Sequence, residues 1–215
     1  MEYDGIQLIV NGEIWNYPEL RREYEERGYK FKSRSDSEII LYLYQERELQ
    51  RLNGMFSFVI YDDNKIFISR DWVGKIPLYI YQNGSNNMIV ASELKCISEK
   101  FPMSISRIVP KNCLIGINLD TNSVKLYDNF YFKFSEEETS TDGEVEIGLK
   151  TYELLKNAVH TRLISDVPIA TSLSGGIDSA VITYLLSTEI PNLKAYTAKF
   201  DEDSRDLYFA RVVAK

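Results

Sequence analysis

The heptad Leu173-Ser174-Gly175-Gly176-Ile177-Asp178-Ser179 gathers side chains suited to chemistry on a phosphate. Glycines let backbone N–H groups approach an anion closely, and Ser174 and Ser179 can donate hydroxyl hydrogen bonds. Asp178 would repel a bare phosphate, so its carboxylate makes chemical sense facing Mg²⁺. No Lys-Ser or Lys-Thr pair follows the glycines, which excludes a Walker A loop. Ser-Gly-Gly alone would suit an ordinary strand–turn–helix corner. The whole heptad in its apolar setting points to nucleotide binding.

The elements that must position this heptad can be read on either side of it. Residues 166–172 form an apolar run, expected to be a short buried strand. Ile177, Val181, Ile182, Tyr184, Leu185 and Leu186 then recur at helical spacing. A helix start leaves N–H donors unpaired, and its dipole adds about 0.3–1 kcal/mol per anionic contact. Upstream, residues 145–164 read as an amphipathic helix. Downstream, residues 193–200 read as a second strand, and Asp203 or Ser204 can cap a last helix. This alternation is the start of a parallel α/β sheet, in which ligands sit at the carboxyl ends of strands.

The first half of the chain has a different grammar. Asn11-Gly12 separates two apolar runs and predicts a hairpin turn. Pro18 suits the first turn of a helix that Gly28 would close. Ser35 and Glu38 have capping-box spacing ahead of Ile39, Ile40, Leu41, Leu43 and Tyr44. Three hairpins follow: 55–61 with 66–69, 77–81 with 88–91, and 113–119 with 123–127. Residues 134–145 are acidic and nearly without apolar anchors, and predict an exposed linker between domains at 1–133 and 146–215.

Composition narrows the function. With 215 residues, 44% hydrophobic and 27% charged, the chain has ordinary globular make-up. A net charge of −7 argues against nucleic-acid or membrane-surface binding. No apolar run approaches the roughly 20 residues of a membrane span. Cys96 and Cys113 have no metal-ligand spacing, which makes a reducing cytoplasm the expected location and buried hydrophobes their expected role. His160 is the sole histidine and is expected on a helix surface or in packing.

Several phrases occur in a telling order: Asn11-Gly12-Glu13-Ile14-Trp15-Asn16, Ser35-Asp36-Ser37-Glu38, Asn53-Gly54-Met55-Phe56, Arg70-Asp71 through Pro77-Leu78-Tyr79, and Ser92-Glu93-Leu94-Lys95. After the linker come Ser165-Asp166-Val167-Pro168, the heptad, and Ala210-Arg211-Val212-Val213. The heptad matches the pyrophosphate loop of ATP pyrophosphatases, and the ordered set resembles a glutamine-hydrolysing asparagine synthetase. The fold this implies is an α+β N-terminal lobe, a partial Ntn-type glutaminase sandwich of class II glutamine amidotransferase kind. The start of an α/β parallel-sheet ATP-pyrophosphatase domain would follow.

The resemblance also implies roles. Asn11 and Gly12 match an oxyanion-hole pair, and Glu13 and Asp36 match residues that hold the glutamine amine. Leu173, Ser174, Gly175, Gly176, Asp178 and Ser179 match the ATP loop, with Asp178 toward Mg²⁺, and Ala198 matches a residue lining the adenine pocket. Arg70, Asp71 and Glu93 match structural positions. The implied ligands are glutamine, aspartate and ATP with Mg²⁺, with a complementing fragment or a homodimer as partner. The family's nucleophile is an N-terminal cysteine, whereas Glu2 follows Met1 here, so no glutaminase activity is expected of this chain. Both ends read as cut. The implied reaction is ATP-dependent amidation of aspartate by glutamine-derived ammonia through an acyl-adenylate. Alternatives are a related amidotransferase acting on another acid, a β-lactam-forming synthetase, or a non-catalytic partner module.

Overall fold

A computed structural model describes residues 1–82, 88–98, 106–133, 140–199 and 205–215. The chain divides into two compact units, Met1–Glu137 and Glu138–Lys215.

The first unit is built on a six-stranded antiparallel sheet in the order β1-β2-β3-β4-β8-β9. Its strands are β1 (Glu2–Tyr3), β2 (Ile6–Ile14), β3 (Gly54–Asp62), β4 (Lys65–Arg70), β8 (Cys113–Asn118) and β9 (Ser123–Asp128). A three-stranded sheet, β6-β5-β7, is formed by β5 (Tyr79–Gln82), β6 (Met88–Ala91) and β7 (Ser106–Ile108). Helices α1 (Tyr17–Glu26) and α2 (Ile39–Gln45) cover the opposite face, and α3 (Leu94–Ser98) follows β6.

Period-two alternation explains the layering. In β2, Ile6, Leu8 and Ile14 are buried, while Gln7, Ile9, Asn11 and Glu13 are exposed. On the helical side, Tyr24, Ile39, Ile40, Tyr42 and Leu43 pack with Phe56, Phe58 and Ile60 of β3. Each such side chain contributes on the order of 1.5–3 kcal/mol when buried. On the other side, Ile68, Cys113 and Ile117 pack with Leu78, Ile80 and Val90.

The helices α1 and α2 end in the same way. Tyr29 N–H reaches the Tyr24 carbonyl at 3.0 Å, and Glu48 N–H reaches the Leu43 carbonyl at 2.7 Å, each completing a Schellman motif. The left-handed residue is Gly28 (φ 95°) in the first and Arg47 (φ 61°) in the second. A residue with a Cβ costs roughly 1–2 kcal/mol in that conformation.

Asn11-Gly12 is not a turn, contrary to the sequence expectation. It lies within β2, where Asn11 pairs with Ser57 and Gly12 with Phe56 of β3. The hairpin turn of this region is Asp4-Gly5, with φ of 50° and 79°, between β1 and β2. The capping box is also only half formed. Ser35 caps a 3₁₀ turn, Asp36–Glu38, by accepting from Ser37 N–H. Glu38 instead accepts from the amides of Lys32 and Ser33 at 2.6 and 2.7 Å and from the Tyr42 hydroxyl at 3.0 Å. Strand β7 carries no signal in the sequence, because its Ser106-Arg107-Ile108 run is too short to alternate visibly.

The second unit holds α4 (Glu144–His160), β10 (Ala170–Ser172), α5 (Ile177–Glu189), β11 (Lys194–Tyr196) and α6 (Arg205–Val213). Strands β10 and β11 pair in parallel, Ala170 with Lys194 through Ser172 with Tyr196. The core is small: Val159, Leu185 and Leu186 gather Leu163, Ile190 and Leu193. Both strands are shorter than the apolar runs that predicted them, since only three residues of each find a ladder partner. Pro168, which has no N–H, precedes the first paired residue. The expected linker 134–145 overlaps α4, whose N-cap is Gly143 and whose first turn carries Glu144 and Glu146. Residues 134–139 lie outside the described residues, as do the expected caps Asp203 and Ser204.

Candidate active site

Two constellations of side chains emerge, one in each unit. In the first, β2 carries Asn11, Gly12 and Glu13 against β3. Asn11 and Glu13 are exposed on the same face. Gly12 is held at φ 137°, and a Cβ there would lie 2.0 Å from the Met55 carbonyl oxygen. Diagonally opposite, a Cβ on Gly54 would lie 2.1 Å from the Glu13 carbonyl oxygen. Both glycines are required by close strand approach. Asn11 and Gly12 are neighbours on this strand, and amide N–H groups are the donor type an oxyanion needs.

Asp36 is brought to the end of this strand. Its Oδ2 accepts the Ile14 amide at 2.7 Å, and its Oδ1 lies 3.4 and 3.3 Å from the Ser35 and Ser37 hydroxyls. The cap of this turn is Ser35, which leaves the half-buried Asp36 carboxylate beside β2 with lone pairs for a further donor. The Glu13 side chain forms no hydrogen bond or ion pair with a described residue. Sequence reading missed Ser57. It pairs with Asn11 in register, and its buried hydroxyl has no hydrogen-bond partner among the described residues. Only the β2–β3 register reveals this neighbour.

The cysteines lie elsewhere. Cys113 is buried in β8, its thiol donates to the Pro110 carbonyl at 3.1 Å, and burial with the nearby Asp128 charge pushes its pKa to about 11. A thiol so raised is a poor nucleophile. Cys96, expected to be buried, is exposed, because it falls on the open side of the one-turn helix α3. Arg70 and Asp71 are structural: Arg70 donates to the carbonyls of Ile76, Val109 and Gly74, and Asp71 accepts the amides of Val73, Gly74 and Lys75. Glu93 pairs with Lys95 at 2.6 Å on the surface.

In the second unit the heptad turns the chain from β10 into α5. Leu173 is buried, and its amide donates to the Tyr196 carbonyl at 2.8 Å, so it anchors the corner and keeps its side chain from any ligand. Gly175 (φ 90°) faces α6; a Cβ there would lie 2.3 Å from the Asp206 carbonyl oxygen. Gly176 is the N-cap of α5, and a Cβ there would meet nothing nearer than Ser174 Oγ at 3.6 Å. The Ser174 and Ser179 hydroxyls are 3.0 Å apart, and Ser179 donates to the Gly176 carbonyl at 2.9 Å.

The first intrahelical bond of α5 is Ala180 N–H to the Gly176 carbonyl. The amides of Ile177, Asp178 and Ser179 therefore point out of the helix start. Ser174, Gly176, Ile177 and Asp178 are exposed, so no side chain of the described residues plugs the corner. Among the described residues no three of His, Cys, Asp or Glu converge on a metal-sized site. A Mg²⁺ beside Asp178 would thus draw its remaining ligands from phosphate and water, its usual habit. Ala198 is exposed and lies beyond the end of β11 rather than on it. His160 closes α4, exposed and 3.6 Å from Glu189.

An antiparallel sheet covered by helices, followed by a parallel strand–loop–helix unit, is the fold class of the chain: an α+β lobe and then the start of an α/β unit. Residues 1–99 match the family of glutamine amidotransferase domains and residues 150–215 match asparagine synthase. The asparagine synthetase B (glutamine-hydrolysing) of Escherichia coli K12 is 35% identical over 204 residues, covering 91% of this chain and 34% of that protein. A glutamine-hydrolysing asparagine synthetase of Bacillus subtilis is 30% identical over 240 residues, covering 96% of this chain and 38% of that protein. The chain thus joins part of a glutamine amidotransferase domain to part of an asparagine synthase domain, is similar over most of its length to glutamine-hydrolysing asparagine synthetases, and spans about a third of the length of these relatives. The solved glutamine phosphoribosylpyrophosphate amidotransferase of B. subtilis shares the fold, with a TM-score of 0.51 at 19% identity, covering 97% of this chain and 51% of that one.

Proposed function

We propose that this chain supplies the glutamine-site strand and the ATP corner of an asparagine-forming ligase. In the proposed reaction, aspartate is activated as an acyl-adenylate and amidated by ammonia from glutamine. The observation that carries this reading is the open start of α5. There the amides of residues 177–179 and two serine hydroxyls face solvent at the carboxyl end of β10. A helix start with free amides, glycine approach and hydroxyl donors is a phosphate cradle. Ser174, Gly176 and Ser179 would hold phosphate oxygens, and Asp178 would hold Mg²⁺, which neutralises the phosphate charge. On the first unit, Asn11 and Gly12 would stabilise the tetrahedral oxyanion, while Glu13 and Asp36 would fix the glutamine ammonium.

Cys113 is buried with a raised pKa and Cys96 lies on α3, so neither is proposed as the nucleophile for glutamine. A complementing fragment or a homodimer is the proposed partner, and the cytoplasm is the proposed location. Isothermal titration with Mg-ATP, paired with hydrogen exchange, tests the reading. The expected result is weak saturable heat with protection centred on the amides of Ile177 to Ser179. Absence of both heat and protection would overturn the assignment.

A further inference from the structure

The first unit contains a cavity of about 740 Å³ that neither proposed site uses. It opens between the end of α2 and the helical face of β4, β8 and β9. Its lining includes Phe67, Tyr127, Phe130, Arg47, Lys65 and Asp62. By strand alternation this face is the one opposite Asn11 and Glu13, so the cavity is separate from the glutamine constellation. Its size is that of a small-molecule site.

Three observations indicate what it takes. The walls are aromatic: Phe67 packs with Tyr44 at 5.1 Å between centroids, and Tyr127 with Phe130 at 6.4 Å. The Asp62 carboxylate is engaged by the Tyr44 hydroxyl at 2.8 Å. The rim is cationic: Arg47 and Lys65 form no ion pair with a described residue. The acidic neighbours Glu46 and Glu48 are already held by Arg27 and Arg51, at 2.8 and 2.6 Å. Finally, Arg47 occupies the left-handed position that the matching end of α1 gives to Gly28. Strain kept at a cavity mouth, where glycine would relieve it, points to use of the side chain.

We propose that this cavity binds a small planar aromatic anion, its ring against Phe67, Tyr127 and Phe130 and its charged group on Arg47 and Lys65. The probe is 1-naphthyl phosphate, titrated into the full chain and followed by amide NMR, beside inorganic phosphate and naphthalene-1-methanol. The expected result is saturable shifts at Arg47, Lys65, Phe67 and Tyr127, with affinity at least tenfold above either half-probe. Arg47→Gly should keep or raise the melting temperature, since it relieves the left-handed strain, and should weaken the probe at least fivefold. Lys65→Ala should weaken it further. Shifts that do not saturate, or equal affinity in the Arg47→Gly Lys65→Ala double variant, would overturn the proposal. A naphthalene-1-methanol affinity matching the phosphate would do the same.

Discussion

The Asp36 carboxylate accepts the Ile14 amide at 2.7 Å, which ties a 3₁₀ turn to the end of the strand carrying Asn11, Gly12 and Glu13. One side chain thus joins the helical layer to the face proposed to hold glutamine. Hydrogen bonds to a charged group are worth roughly 1.5–3 kcal/mol. Asp36→Ala should lower stability by about that amount and abolish glutamine binding. Asp36→Asn should recover most of the stability and little of the binding. Urea midpoints alongside glutamine titration separate the two effects; equal recovery of both would refute the dual role.

Ser57 offers a test with the opposite sign. Its buried hydroxyl has no hydrogen-bond partner among the described residues, and an unsatisfied buried polar group costs about 1–3 kcal/mol. Ser57→Ala should therefore stabilise the ligand-free chain by about 1 kcal/mol. A lowered urea midpoint would show that the hydroxyl has a partner after all.

The glycines of the anion corner should separate in their effects. Gly175 is at φ 90° with α6 backbone 2.3 Å from a would-be Cβ. Gly175→Ala should cost the second unit roughly 2–5 kcal/mol, combining left-handed strain with overpacking. Gly176→Ala meets only Ser174 Oγ, at 3.6 Å, and should cost about 0.5–1 kcal/mol at most, as a lost glycine N-cap. If both variants melt alike by circular dichroism, the packing role assigned to Gly175 is wrong.

Acid should weaken the first unit through Glu38. Burial pushes this carboxyl up, but the Ser33 hydroxyl, the Lys32 and Ser33 amides and the Tyr42 hydroxyl outweigh it and hold the pKa below the ordinary value. A lowered folded pKa means the stabilisation is complete above the unfolded value, near 4.3. It is lost as pH falls through the lowered one. Urea midpoints measured from about pH 6 down to pH 3 should drop, and Glu38→Gln should flatten that slope while lowering the plateau. A variant with an unchanged acid limb would remove Glu38 from the account.

The two units should open at different free energies. The first buries Tyr24, Ile40, Tyr42, Leu43, Phe56, Phe58 and Ile60 in one cluster, whereas among the described residues the second gathers Val159, Leu185 and Leu186 as the buried members of its cluster. Val145, Leu149, Leu154, Tyr208 and Val212 remain exposed in the second unit. Native-state hydrogen exchange should show the α5 amides exchanging well before those of β3. Equal protection would contradict the burial contrast.

Local signals in the sequence were enough to place the hairpins β3–β4 and β8–β9, the proline-started α1 with its Gly28 close, and the strand–loop–helix order around Ser174 to Ser179. Each is specified within a dozen residues by alternation, turn chemistry or helical spacing. The family, too, was legible, because an ordered set of short phrases survives without any knowledge of contacts. What alternation could not decide was pairing. Asn11-Gly12 has turn chemistry, and only pairing with Ser57 and Phe56 of β3 makes it strand interior. Ser57 became a neighbour of Asn11 through a strand register that no local window contains. The same holds for Gly175: its sequence says flexible loop, while the backbone of α6, thirty-odd residues on, says that nothing but glycine fits. Short-range propensity chose the elements, and long-range packing chose which side chain each one presents to its neighbour.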